Sequence, residues 1–368
     1  MKTIHVPLGE RAYDIHIATG LLDRAGELLK PKLTGKALIV ADAQVDRLYG
    51  QRLIAALAAG EIQATCATFP PGEPSKSVTT AERMWAACAE YRIDRGDAII
   101  GFGGGISGDL AGFVAACWMR GIAFAQIPTT LLAMVDSSVG GKTGVNSAAG
   151  KNLVGAFKQP VAVLIDPGLL ASMEDREYRA GLAEVLKYGV INDPAFLAWQ
   201  EAQAAGLAQR DEAAVAHAVA ESCRIKAWYV AEDEQERGVR AHLNYGHTFG
   251  HALERQTGYT RYLHGETVGL GMRMAVDLSR RLGLLDDPAL AARQDRLLEA
   301  YGLPLTVGPD TGVTRAQVPE LVRACGLDKK VAGGRMRFVL PRRVGVVETV
   351  TVTDTDAVAA AFASAIAS

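Results

Sequence analysis

The sequence predicts an α/β domain built on a parallel sheet, followed by a mainly α-helical domain. Three observations carry this reading. In the first half, short apolar runs ending in acids, glycines or hydroxyls alternate with segments of helical spacing. From about residue 170 the texture changes to alanine, leucine, glutamate and arginine. The chain has 368 residues, too many for one small core, and a prior of roughly 150 residues per domain favours two.

In chain order, "KALIVAD" (36–42) is a parallel strand closing on an acid, and "AERMWAACAEYRI" (81–93) has helical spacing. "DAIIGFGGG" (97–105) is a buried strand running into glycines. "IAFAQIPTT" (122–130) and "VAVLID" (161–166) are two more strands. Apolar strands alternating with helices imply a sheet covered on both faces, with ligands at the carboxyl ends of the strands. Beyond the texture change, "LAEVLKYGV" (182–190), 211–234 and 291–302 read as amphipathic helices, and 333–352 reads as a hairpin. The expected domains are 1–175, nucleotide-binding, and 176–368, mainly helical.

Composition excludes several classes. Hydrophobic residues make up 49% and charged residues 22%, ordinary for a globular protein. A net charge of -2 argues against a general polyanion-binding surface and so against a nucleic-acid partner. The five cysteines are scattered without a CxxC, which fits a reducing compartment rather than a disulfide framework. The N-terminal "MKTIHVPLGERAYDIHI" alternates polar and apolar residues and is not a signal peptide. No run of about 18 apolar residues exists, so no membrane span is expected.

"GFGGGISGD" (101–109) places Gly103, Gly105 and Gly108 between a strand and a helix, where backbone N–H groups can approach a pyrophosphate. No acid follows roughly 20 residues later, as the usual dinucleotide fingerprint requires. The ribose-binding acid is instead Asp42, so a nucleotide site of different winding is expected. Nearby, "PPGEPSKS" (70–77) is a turn-rich loop, and "VDSSVGGKTGVNSAAGKN" (135–152) is read as a glycine-rich loop suited to wrapping an anion.

Of the seven histidines, His247, His251 and His264 fall within 18 positions, flanked by glycines. Residues at i and i+4 share a helix face. Glu184 is an acid set among apolar residues, with Lys187 one turn on, and a buried acid needs a partner. A catalytic zinc takes three ligands from His and Asp/Glu and keeps one position open. Spacing alone leaves open which three of Glu184, His247, His251 and His264 would coordinate.

Together, "GGGISGDLAGF", "QIPTTLLAMVDSSVGGKTGVN", "GKNLVGAF", "GLAEVLKYG", "EDEQERGVRAHLNYGHTFGHALE", "LHGETVGLGM" and "DKKVAGGRMRFVLP" resemble the 3-dehydroquinate synthase family in order and spacing. The wider relatives are the sugar phosphate cyclases. The resemblance implies a cytoplasmic homodimer using NAD+ and one zinc or cobalt ion. It implies Glu184, His247 and His264 as metal ligands, with His251 facing substrate instead. It further implies catalytic roles for Asp136, Lys142, Lys187, Asn244 and His251. Substrate contacts would come from Lys142, Asn152, Lys187, Lys226, Arg240, Asn244, His251 and Lys330 of the Lys329–Lys330 pair, with Arg120 reaching the neighbouring subunit's phosphate site. NAD+ would be held by Asp42, by Pro71, Gly72, Glu73, Pro74, Ser75 and Lys76, and by Gly105, Ile106, Ser107, Gly108 and Asp109. Thr129, Thr130, Lys142, Lys151, Leu169, Leu170, Ala171 and Ser172 would complete its contacts.

The implied reaction converts 3-deoxy-D-arabino-heptulosonate 7-phosphate to 3-dehydroquinate and phosphate, a lyase step of the shikimate pathway toward chorismate and aromatic amino acids. It would proceed by transient oxidation at C5, phosphate elimination, re-reduction, ring opening and intramolecular aldol closure. A cyclase acting on another sugar phosphate, or a polyol dehydrogenase, are the competing readings. The chain departs from the family pattern at "SAA" (147–149), where a histidine-proline-leucine run is common, and at "ASM" (171–173), where "TLP" is common. Both stretches lie beside expected cofactor contacts.

Overall fold

A computed structural model describes residues 1–326 and 335–367. The chain divides into two compact units. Met1–Met173 and Val219–Gln235 form one, and Glu174–Ala218 and Glu236–Ser368 form the other.

The first unit holds a seven-stranded sheet of order β1-β2-β9-β6-β5-β3-β4. Its strands are β1 (Lys2–Val6), β2 (Tyr13–Ile17), β3 (Ala37–Asp42), β4 (Ala64–Phe69), β5 (Ala98–Gly103), β6 (Ala123–Pro128) and β9 (Ala162–Ile165). All neighbours pair in parallel except β1 and β2. The central strands are apolar and buried end to end, as Leu38, Ile39, Val40, Ile99, Ile100, Phe124 and Val163 show. Strands covered on both faces have no reason to alternate, hence their unbroken apolar runs. The N-terminal stretch does alternate, and it forms a hairpin that buries Tyr13, Ile15 and Ile17. β4 has no counterpart in the sequence-based reading, because "ATCATF" is a half-polar edge strand with only Ala67 and Phe69 buried.

The stretch expected to be a glycine-rich loop over 135–152 is largely ordered structure. Lys142–Ser147 (β7) and Gly150–Phe157 (β8) pair antiparallel. Its small residues serve close packing rather than flexibility. A side chain at Gly155 would collide with the Thr143 carbonyl. The hairpin also lies on the helix Gly105–Cys117, where a Cβ at Gly112 would strike Thr143.

In the second unit, the helices Asp175–Ile191, His247–Gln256, His264–Arg281, Leu290–Ala300 and Thr355–Ala365 surround an apolar core. A hairpin of β10 (Met336–Arg343) and β11 (Val346–Val352) completes it, beginning a few residues inside the expected 333–352. The unit boundary falls at Met173–Glu174, against the expected 175/176. The helix Glu212–Glu232 is shared, since Val219–Gln235 groups with the first unit. Specific contacts account for that. Lys226 reaches Asp136, the Cys223 thiol donates to the Met134 carbonyl, and Lys2 pairs with Glu221.

Asp166, after β9, pins the N-terminal turn to the sheet. Its buried carboxylate accepts from the backbone N–H groups of Gly20, Leu22 and Gly168 at 3.0, 3.1 and 3.0 Å. Asp166→Ala strands those donors and is expected to lower unfolding free energy by about 3 kcal/mol. The urea unfolding midpoint would register the loss.

Candidate metal centre and anion-binding network

In the second unit, the helix Asp175–Ile191 is buried along nearly its whole C-terminal length and carries Glu184 at 0% exposure. Lys187, one turn on and 1% exposed, forms an ion pair with it. His247 and His264 are each the first residue of a helix. Their Nε2 atoms lie 3.4 and 3.6 Å from the same carboxylate oxygen, Glu184 Oε1. One ligand atom from each of Glu184, His247 and His264 falls within a 4.8 Å cluster.

The opposite ring nitrogens explain how the imidazoles are turned. His247 Nδ1 lies 3.1 Å from the Tyr245 carbonyl. A carbonyl only accepts, so Nδ1 carries the proton and Nε2 keeps its lone pair toward Glu184. His264 Nδ1 lies 2.9 Å from Glu254 Oε1, which likewise puts a proton on Nδ1. Burial pushes the His247 pKa down to about 3, against the opposing pull of Glu184. This keeps it neutral, the form that binds metal. At His264 burial also acts downward, but hydrogen bonds to Glu184 and Glu254 overcome it and raise the pKa to about 10.

Glycines permit this convergence. A Cβ at Gly265 would strike the Ala180 carbonyl, and one at Gly271 would strike the Gly246 carbonyl. Gly246 itself takes φ +81°, a left-handed turn that starts the His247 helix. The ligand atoms of His251, Glu254 and His264 form a second cluster within 4.8 Å, so geometry brings all four candidates together. His251 is exposed, in contrast to the inward-turned His247. Arg240 is buried in the same unit, and Asn244 donates to Glu236 at 2.6 Å. Lys330 lies outside the described residues.

In the first unit, the expected cofactor residues gather at strand ends. Asp42 closes β3, and its carboxylate accepts from Gln44 and Val45 N–H at 2.9 and 3.0 Å. Thr129 and Thr130 follow β6. Gly105 opens the helix Gly105–Cys117, whose first N–H groups have no intrahelical acceptor. Side chains are barred here. A Cβ at Gly103 would collide with Ser107 and one at Gly108 with Gln126, while at Gly105 it would lie 3.0 Å from Ser137 Oγ. The buried Ser107 hydroxyl finds no hydrogen-bond partner among the described residues. A bare helix start beside an unsatisfied hydroxyl is a cradle for a phosphate-bearing cofactor.

Around it runs a charged network. The Lys76 ammonium donates to Asp109 and, at 2.6 Å, to Asn152 Oδ1. Asn146 donates to Glu73 at 2.8 Å, and Lys151 lies 3.5 Å from Glu73. Lys226 donates to Asp136 Oδ1 at 2.6 Å. Burial raises the Asp109 pKa, with Lys76 the main opposing influence. Pro71, Gly72 and Pro74 are exposed while Ser75 is buried. In the segment Pro167–Ser172, Leu169 and Leu170 are buried but Ala171 and Ser172 are exposed. Lys142 and Arg120 are exposed.

Sequence reasoning missed Glu254, Glu236 and the Tyr245 carbonyl. Glu254 was detectable in principle. It follows His247 by two helical turns and His251 by one, so it shares their face.

Comparisons with known proteins agree with one another. The model of the 3-dehydroquinate synthase N-terminal domain matches residues 66–180, and that of the C-terminal domain matches 181–331. A 3-dehydroquinate synthase from Halorhodospira halophila is 51% identical over 345 residues, 94% of either chain. Among solved structures, a 2-epi-5-epi-valiolone synthase from Streptomyces hygroscopicus subsp. jinggangensis, with NAD+ and Zn2+ bound, superposes with TM-score 0.82. It is 28% identical and covers 96% of each chain. A 2-deoxy-scyllo-inosose synthase complexed with carbaglucose-6-phosphate, NAD+ and Co2+ superposes with TM-score 0.87. At 22% identity, covering 99% of this chain and 100% of its own, it attests the shared fold.

Gly265→Ala forces the His264 helix away from Ala180. The expected result is divalent-metal affinity about tenfold weaker or worse, read by competition with a chromogenic chelator.

Proposed function

The chain belongs to the 3-dehydroquinate synthase family, and from that premise we propose how its own residues carry out the family reaction. The observation that carries the proposal is the convergence of the His247 and His264 Nε2 atoms on one buried oxygen of Glu184. A carboxylate with two imidazoles, His264 giving up its proton as the ion binds, is the donor set of a catalytic zinc site with an open position. Glu184, His247 and His264 would hold zinc or cobalt. The bound NAD+ and Zn2+ of the valiolone synthase support both cofactors. NAD+ would rest on the glycine cradle at 105–109, with Asp42, the 71–76 loop, Thr129, Thr130, Lys151 and 169–172 around it. When bound, these groups supply reversible hydride acceptance at C5 and polarisation of the substrate oxygens.

The chain's own groups handle charge and protons. The substrate brings a carboxylate and a phosphate. Arg240 offers a planar fork matched to the carboxylate, and Lys226 offers a point charge. Lys142, Asn152, Lys187 and Lys330 are assigned to the anionic oxygens, and Asn244, anchored by Glu236, to a substrate hydroxyl. A proton on C6 is acidic only while C5 is a ketone. Elimination then breaks the C6–H bond and the C7–O bond to phosphate, a phosphorus-oxygen lyase outcome. His251, on the next turn from a metal ligand and exposed, orients or relays that proton. Asp136 holds Lys226 in place through their ion pair.

We further propose a homodimer in which Arg120 contributes to the partner subunit's phosphate site, and a cytoplasmic location. Arg120 sits exposed at φ +68°, a strained backbone that presents its side chain outward. Among the described residues no helix is long and apolar enough to cross a membrane.

Phosphate release from 3-deoxy-D-arabino-heptulosonate 7-phosphate tests the reading. With trace NAD+, phosphate should accumulate without net NADH, and a chelator should abolish it. Equal release from sedoheptulose 7-phosphate, which lacks the carboxylate, would overturn the substrate assignment. Glu184→Ala is expected to lose bound metal and activity together. His251→Ala should keep stoichiometric metal while slowing phosphate release by about 100-fold or more. Metal loss in His251→Ala would instead make both histidines of the pair ligands.

A further inference from the structure

We infer that Glu254 is a positioning residue of the metal centre, acting on the ion through His264. The inference rests on the ligand set proposed above and adds a residue to it. Glu254 is 8% exposed, on the helix His247–Gln256, two turns beyond His247. Its Oε1 takes the Nδ1 proton of His264 at 2.9 Å. The Thr267 hydroxyl, on the His264 helix, lies 3.3 Å from the same oxygen. One helix therefore supplies a ligand at its start and, at its far end, the group that orients the ligand carried by another.

The two imidazoles are held differently. His247 is held by the neutral Tyr245 carbonyl, and His264 by a carboxylate. A carboxylate draws the Nδ1 proton more strongly, which raises electron density at Nε2 and makes His264 the stronger donor. It also places a second negative charge one ring away from the cation, beside that of Glu184. The same contact settles the status of the cluster of His251, Glu254 and His264. His264 Nδ1 is already engaged by Glu254 while its Nε2 faces Glu184, so one ion, on the Glu184 side, is the arrangement this hydrogen bond favours.

The test is zinc affinity by chelator competition on the full chain. Glu254→Gln, isosteric and uncharged, is compared with wild type and with Glu184→Ala. The expected result is a zinc Kd about 10- to 100-fold weaker in Glu254→Gln, with the metal-free protein melting at the wild-type temperature. The visible ligand-field bands of the cobalt-loaded variant should shift, since a purely structural residue would leave them unchanged. Wild-type zinc affinity and an unshifted cobalt spectrum in Glu254→Gln would overturn the role of Glu254. Failure of wild type itself to bind zinc stoichiometrically, or retention of zinc by Glu184→Ala, would overturn the ligand set instead.

Discussion

The second unit is organised around one carboxylate that has no access to water. Glu184 sits in the fully buried C-terminal part of its helix, and a charge there is tolerable only with compensation close by. Lys187 supplies part of it. A lysine partner alone would not explain why two imidazoles also turn their Nε2 atoms to the same oxygen while committing their Nδ1 atoms elsewhere. Two imidazole nitrogens on one carboxylate oxygen, with Lys187 on the other oxygen, describe a place built for a positive ion.

That convergence dictates backbone requirements some distance along the chain. His247 and His264 both open helices, where the partial positive charge of the N–H groups disfavours a protonated ring; at His247 this acts with burial, whereas at His264 Glu184 and Glu254 outweigh it. The same dipoles repel a cation, so the acids must outweigh them, and Glu184 with Glu254 provides that charge. Bringing two helix starts to one point also requires backbone to touch backbone. Gly265 against Ala180 and Gly271 against Gly246 are the contacts that allow it. A side chain at either position would part the ligands before any ligand was changed.

The parallel sheet, the helical second half and the candidate histidines were legible because each follows from residue type and period. β3, β5, β6 and β9 announce themselves as unbroken apolar runs, and His247 and His251 as an i, i+4 pair. The 142–157 hairpin was not legible. Its glycines read locally as looseness, yet their purpose is set by the distant partner they pack on, the helix Gly105–Cys117. β4 was hidden for a related reason, since an edge strand need not look apolar. Which of the three candidate histidines would cluster with Glu184 also lay beyond spacing, because it depends on what the far side of each ring touches. Tyr245 and Glu254 decide that, and neither is marked by a motif of its own.

A last constraint concerns the lysines. Lys76, Lys187 and Lys226 are all buried, and each arrives paired with an acid: Asp109, Glu184 and Asp136. An unpaired buried ammonium would cost several kcal/mol or lose its proton. The pairing therefore fixes each lysine before any anion arrives. An incoming phosphate or carboxylate then need not order a flexible cation, but it must share that cation with a resident acid. In the first unit Lys76 and Lys226 both act on Asp109, and fixed but shared charge there favours a ligand that engages both at once over a lone inorganic ion.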